Sequence, residues 1–413
     1  MIVLSGADLV LPDRVTGPST LVIDGERIVE IAAAVRSAPD AERLDLQDHY
    51  VLPGFIDVHV HGVGGRDSLD GADAVGAIAA ILPRFGVTAF CPTTIACEPA
   101  ALRQLLSAVR DARATPVANA ARVLPAHLES NFINPEYKGA QPAECLRMPP
   151  AASAGVRHGE SAGYTGAEVL AEIEQAGPDV GIVTLAPELD GATDLIRRLS
   201  AAGIRVSLGH SGATLDQALE AVAAGATQAT HLFNRMPRLD HRDPGLAGAV
   251  LCCGDIAAEV ICDGYHVHAA MVHLAVAAKG PSGVMAITDG TAGSSMPAGT
   301  RTRLGGRTIT VTESGARLDD GTLAGSTLTM DGAFRVLVER VGLSLVDAAQ
   351  LCATTPARQL NLHGLGVLAA GAQADLVVLD RVLSVVQTYI RGRCVYSATP
   401  RNESGTPAGQ FRL

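Results

Sequence analysis

The chain has 413 residues, of which 47% are hydrophobic and 18% charged, and its formal net charge is −11. That length and composition suit a large buried core and exclude a disordered chain. The acidic balance argues against nucleic acid and anionic membrane surfaces as main partners, so a phosphate-bearing ligand needs a local positive site. Met1-Ile2-Val3-Leu4-Ser5-Gly6 has neither a basic flank nor a long apolar core, so no signal peptide is expected. No apolar run is long enough to span a bilayer. The eight cysteines are scattered without any C-x-x-C pair, which points to a reduced, cytoplasmic interior rather than a disulfide framework.

From Met1 to about Val51 the pattern predicts short strands with tight turns. Leu21 to Val29 reads as a hairpin, two apolar runs around Asp24-Gly25. From Gly54 to about Met330, apolar runs alternate with Ala-rich segments of helical period, such as Ala72 to Leu82, Ala100 to Ala112 and Leu215 to Ala224. The eight runs are Phe55–His61, Val87–Thr93, Val123–Glu129, Gly181–Pro187, Arg205–His210, Gln228–His231, Ala257–Asp263 and Gly283–Asp289. Eight strands alternating with helices predict an α/β fold, a (β/α)8 TIM-type barrel with its active site at the C-terminal strand ends. After Asp375 strand character returns at Leu376–Leu379 and Val385–Ile390, with a turn at Arg391-Gly392-Arg393. Both chain ends are expected to form a small β-sandwich domain, residues 1–52 plus 366–413, beside a catalytic barrel of 53–365. Two insertions, Ser130 to Thr165 and the Gly-rich Pro297 to Gly325, are long enough to be functional loops.

Several of these runs end in a residue that can bind a metal. His59 and His61 alternate on one strand, so both imidazoles project from the same face. Glu129, His210, His231 and Asp289 end four further runs. In a barrel these side chains converge above its centre, where four histidines, a glutamate and an aspartate suit one or two divalent ions with a water. Any one of them alone caps a strand; all six at one end point to a metal site. His127 shares a strand face with Glu129 and is either a supporting group or a core histidine. His158, His268, His273 and His363 read as surface or capping groups. The chain has two lysines, Lys138 and Lys279, and neither ends an apolar strand. A carboxylated lysine therefore cannot bridge two metals, and Glu129 is the shared ligand expected instead. Arg235, Arg238 and Arg242 follow His231 in one loop, which is either an anion site or a solvated loop neutralised by Asp240 and Asp243. At the end of the seventh run, Tyr265 or His266 can meet substrate or a neighbouring subunit.

The motifs together resemble the N-acetylglucosamine-6-phosphate deacetylases of the amidohydrolase superfamily. The resemblance is carried by Pro53-Gly54-Phe55-Ile56-Asp57, His127-Leu128-Glu129, Gly209-His210-Ser211, Thr230-His231-Leu232-Phe233-Asn234 and Arg242-Asp243-Pro244-Gly245-Leu246. Asp263-Gly264-Tyr265-His266, Thr288-Asp289-Gly290 and Leu323 to Met330 complete it in family order. It implies that Glu129, His210 and His231 hold the main metal, with His59 and His61 deciding whether a second ion joins. Asp289 would be the acid/base residue and touch the metal. Asn234 would hold the sugar phosphate, with Arg242 and His266 reaching across a homodimer. Zinc suits the donor set, and iron, manganese or cobalt also fit.

Three departures from the family pattern stand out: Ser130-Asn131 after Glu129, Gln141 at the position of a carbonyl-polarising histidine, and Arg235 in place of a small residue. The implied reaction converts N-acetyl-D-glucosamine 6-phosphate to D-glucosamine 6-phosphate and acetate. N-Acetylgalactosamine 6-phosphate is the alternative substrate. A cyclic-amide hydrolase is disfavoured by the missing lysine, and a silent sugar-phosphate binder by the retained ligands.

Overall fold

A computed structural model of the chain describes residues 1–33, 41–150 and 163–398. His158 and the end of the proposed terminal domain, residues 399–413, lie outside them.

Every expected barrel run is a strand: Phe55–Val60, Val87–Thr94, Ala126–Glu129, Val180–Leu185, Arg205–Leu208, Ala226–Ala229, Ala257–Ile261 and Val284–Ile287. Each pairs in parallel with the next in chain order. The ring closes through a parallel bridge from Val60 to Gly290, where Gly290 O accepts the His61 and Gly62 amides at 2.8 and 2.9 Å. These strands are short, rich in β-branched and small residues, and buried along nearly all their length, as a sheet covered by helices requires.

The intervening segments are helices for sequence reasons that are easy to trace. Pro99–Ala114 buries Leu102, Leu105, Leu106 and Val109, one stripe at helical spacing. Gly166–Ala176 and Leu215–Ala224 begin with reciprocal capping boxes, Thr165 with Glu168 and Thr214 with Gln217. The main core lies between strands and helices, and Phe55 stacks on Phe334 there with ring centroids 5.3 Å apart. A smaller cluster joins Ile56, Cys91, Ile182, Ile261 and Met285 from opposite sides of the ring, which brings them together inside it.

The chain ends form one eight-stranded sheet. Leu376–Asp380 pairs antiparallel with His49–Pro53, and Ile2–Val10 and Val15–Asp24 continue the sheet beyond. Leu4, Leu21, Ile23, Val51, Leu376 and Tyr389 make its own apolar core. Arg122 ties this sheet to the barrel through a bidentate pair with buried Asp375, at 2.6 and 2.9 Å. The Pro297–Gly325 insertion, read from the sequence as a long Gly-rich loop, is a three-stranded antiparallel sheet, Arg301–Leu304, Arg307–Thr312 and Gly315–Leu318. No helix among the described residues is long and apolar enough to cross a membrane.

Candidate active site

Glu129 is the last residue of the third strand, while His210, His231 and Asp289 each stand two residues beyond their strands. Those three positions turn the chain sharply, with φ of 48°, 34° and 49°. Phe233 and Arg235 share the left-handed conformation, so five of the eleven non-glycine residues with positive φ among the described residues surround one site. Such conformations cost of order 1–3 kcal/mol each and persist where surrounding structure enforces them.

The strand ends bring six side chains into one cage. Glu129 Oε1 lies 2.7 Å from His210 Nε2 and 2.9 Å from His231 Nε2, and the two nitrogens are 3.0 Å apart. On the other side His59 Nε2 and His61 Nε2 are 3.2 Å apart. Asp289 Oδ1 sits 3.2 Å from His61 Nε2 and 3.4 Å from His59 Nε2. Glu129 Oε2 faces His61 Nε2 at 3.5 Å, so this carboxylate stands between the two halves.

The donor set fits a cation. His210 Nδ1 donates to Tyr137 O at 2.9 Å and His59 Nδ1 donates to Glu259 Oε2 at 3.0 Å. A neutral ring that donates from Nδ1 carries a lone pair on Nε2. Both rings thus aim lone pairs at neighbouring nitrogens and oxygens, an arrangement that a proton or a metal must complete. The triads His59–His61–Glu129 and Glu129–His210–His231 each gather three ligand atoms within 4.8 Å, the N/O chemistry of a zinc-type site.

Electrostatics point the same way. Burial pushes the His59 imidazole down to about 4, which keeps it neutral as a ligand must be. Burial also lowers His61, but its hydrogen bond to Asp289 and the charge of Glu129 outweigh this and lift it to about 9. Burial alone would raise Glu129; His210 and His231 hold it well below the usual carboxylate range. Two ionised carboxylates in a buried cage demand positive charge, which a divalent ion supplies.

A cavity of about 470 Å³ opens above the cage, a volume typical of small-molecule sites. His61, Glu129, Gln141, His210, His231, Asn234, Arg235, His266 and Asp289 all line it. His59 lies directly beneath, fully buried. Arg242 is not brought in; it sits exposed on its loop, its amide held by Asp240 at 2.8 Å.

His266 lines the cavity of its own chain. The cause is local. Asp263 accepts the Tyr265 and His266 amides at 2.8 and 2.7 Å and His266 Nδ1 at 2.6 Å, folding the turn back.

The departures have structural roles. Ser130 Oγ donates to Thr184 O at 2.6 Å, and Asn131 Nδ2 donates to Cys97 O and Cys145 O at 2.8 and 2.7 Å. Gln141 Oε1 accepts the Ala96 amide at 2.7 Å while its Nε2 donates to Glu129, which leaves one amide hydrogen uncommitted. Arg235 packs over Gly139, where a Cβ would meet its Nε at 2.4 Å. His127 is a core group: its Nδ1 donates to Val58 O at 2.9 Å and its Nε2 meets Thr184 Oγ1 at 2.8 Å. His268 caps the helix Ala269–Lys279, while His273 and His363 are exposed. Lys279 is remote, bonded to Val250 O and Cys253 O.

Sequence reasoning missed Asp57 and Glu259. Asp57 Oδ2 accepts the Thr288 hydroxyl at 2.6 Å and so anchors the residue before Asp289. Both are lone carboxylates inside apolar runs, a signal that was available in the sequence. Leu304 and Leu323 of the second insertion also line the cavity and were not legible.

Residues 50–398 match the Amidohydrolase family. The chain is 35% identical to an N-acetylglucosamine-6-phosphate deacetylase of Lysinibacillus sphaericus, over 89% of this chain and 90% of that one. It is 36% identical to an N-acetylgalactosamine-6-phosphate deacetylase of Escherichia coli O157:H7, over 83% and 87%. Among solved structures, N-acetyl-D-glucosamine-6-phosphate deacetylase from Mycobacterium smegmatis, a variant in complex with N-acetyl-D-glucosamine-6-phosphate, superposes with a TM-score of 0.85 at 33% identity. That match covers 96% of this chain and 99% of the other. A barrel with six ligand-type side chains at its strand ends and relatives of this kind along nearly its whole length is a member of the amidohydrolase family, in its N-acetylglucosamine-6-phosphate deacetylase branch.

Proposed function

We propose that the chain hydrolyses the acetamide of N-acetyl-D-glucosamine 6-phosphate, giving D-glucosamine 6-phosphate and acetate, a step of amino-sugar metabolism. The observation that carries this is the Glu129–His210–His231 triad with Asp289 beside it, open to one cavity. Glu129, His210 and His231 would hold a divalent ion, whose chemistry would be Lewis-acid polarisation of the amide carbonyl and acidification of water. Asp289, kept ionised by His61, takes a proton from the attacking water. It then returns that proton to the amide nitrogen as the C–N bond breaks, so the amine leaves neutral. We assign the uncommitted amide hydrogen of Gln141, a residue that lines the cavity, to the acetyl oxygen. Asn234 and Arg235 bind the phosphate, the local positive site that a chain of net charge −11 needs.

His266 contributes within its own chain, and Arg242 completes the site of the partner in a homodimer. Zinc is the metal we favour, since the donors are imidazole and carboxylate. Eight free thiols support a cytoplasmic setting. We place the domain limits at residues 1–52 plus 366–413 and 53–365, so that the barrel carries all the chemistry.

Arg235 favours a second substrate, because its bulk and charge reshape the sugar pocket and one relative is named for the galactosamine epimer. An acetate-release screen over N-acetylated hexosamines, with and without 6-phosphate and with zinc supplied, decides between them. We expect kcat/KM to favour N-acetylglucosamine 6-phosphate by at least about tenfold over its epimer and over the unphosphorylated sugar. The reverse order would move the assignment to the epimer. No acetate from any sugar would defeat the deacetylase assignment.

A further inference from the structure

Beneath the cage the barrel interior is polar, where branched apolar side chains usually fill the ring. Glu259 from the seventh strand, His127 from the third and His59 from the first meet there, all fully buried. Strands so far apart in the ring bring side chains into contact only through its interior. The three are close enough to hold an ion themselves, but their hydrogen bonds rule that out. Val58 O can only accept, so His127 Nδ1 must donate to it, at 2.9 Å. Its Nε2 must then accept from Thr184 Oγ1, at 2.8 Å. Thr184 in turn accepts from Thr230 at 2.7 Å, and Thr230 from Ser207 at 2.6 Å. One carbonyl thereby fixes every proton along this chain, and His127 has no lone pair left for a metal.

Glu259 is the member that reaches the cage. Its Oε2 lies 3.0 Å from His59 Nδ1, so that ring nitrogen donates inward and Nε2 points up toward His61 and Asp289. Glu259 is the hydrogen-bond partner of His59 Nδ1 among the described contacts, and it sets the His59 tautomer. Metal-bound histidines are characteristically oriented in this way by a carboxylate behind them.

We propose that Glu259 is the positioning residue for the His59–His61 ion position, and that it determines whether the cage holds a second ion beside the one on Glu129, His210 and His231. This rests on the metal site proposed above. The test counts zinc per chain by elemental analysis after equilibration with zinc, and measures each affinity by chelator competition. The unaltered protein is expected to hold two ions and Glu259→Ala one, with the affinity of the remaining ion unchanged. Glu259→Gln keeps a carbonyl acceptor for His59 Nδ1–H and is expected to retain both ions, the second bound about 10–100-fold more weakly.

Two ions at unaltered affinity in Glu259→Ala would overturn the proposal. Equal weakening of both positions would too, since it would mark a merely structural role. Where Glu259→Ala does not fold, unaltered second-ion affinity in Glu259→Gln overturns it. A single ion in the unaltered protein also overturns it, whereas no ion at all would instead defeat the metal site itself.

Discussion

At Asp289 burial and charge oppose each other. Burial favours the neutral carboxyl, while the hydrogen bond and charge of His61, 3.2 Å away, hold it ionised and able to accept a proton. An asparagine keeps the shape but cannot shuttle a proton. Asp289→Asn is therefore expected to lower kcat for acetate release by about 10²–10⁴-fold, with the metal proposed on Glu129, His210 and His231 retained. Steady-state kinetics beside elemental analysis checks this, and a kcat within threefold of the unaltered enzyme would remove Asp289 from its role. The six cage residues were legible in the sequence because each interrupts or ends an apolar run with a ligand-type side chain. Glu259 and Asp57 broke the same pattern mid-run, and only their contacts across the barrel show what they do. The direction of His266 depends on the hydrogen bonds of one turn, which no period in the sequence encodes.

Among the elements, strand and helix identity followed from periodicity, and the helix at Leu215–Ala224 falls where its apolar spacing put it. Loop conformation did not, since long insertions take their shape from what they pack against. The Ser130–Thr165 insertion shows this: its Pro135–Tyr137 turn delivers the carbonyl that orients His210. Glycines test the strand ends directly. A Cβ at Gly62, next to His61, would stand 2.1 Å from Arg66 O and 2.8 Å from Ala292 N. Backbone cannot move aside cheaply there, so Gly62→Ala is expected to destabilise by roughly 1–3 kcal/mol. Gly76 lies in the helix Ala74–Ile81 with nothing within 4 Å of its added Cβ. There Gly76→Ala is expected to stabilise by about 0.5–1 kcal/mol. Urea midpoints read both, and shifts of the same sign would contradict the close approach at Gly62.

For the whole molecule, the open question is what lies beyond one chain. Arg242 is exposed and absent from the cavity of its own subunit, although its loop follows His231. If it completes a partner's site, two inactive variants should rescue one another. Mixed dimers of Asp289→Asn and Arg242→Ala contain one site with both residues intact. Co-refolded subunits are expected to regain up to about a quarter of full activity, as random pairing of a two-fold dimer gives. Activity no greater than the sum of the separate variants would confine Arg242 to its own chain.

The sequence by itself determined the alternation of strand and helix, the residues that end each strand, and the strand character of both chain ends. These depend on local pattern, because the side-chain period and the strand-end position are set within a few residues. Only the tertiary structure decided which carboxylate stands behind His59, that Gln141 is committed to Glu129 and Ala96, and that His266 lines this cavity. Each of these depends on contacts between residues 12 to 200 positions apart, or on the fold of a single turn. No periodicity encodes such contacts; closure of the ring creates them.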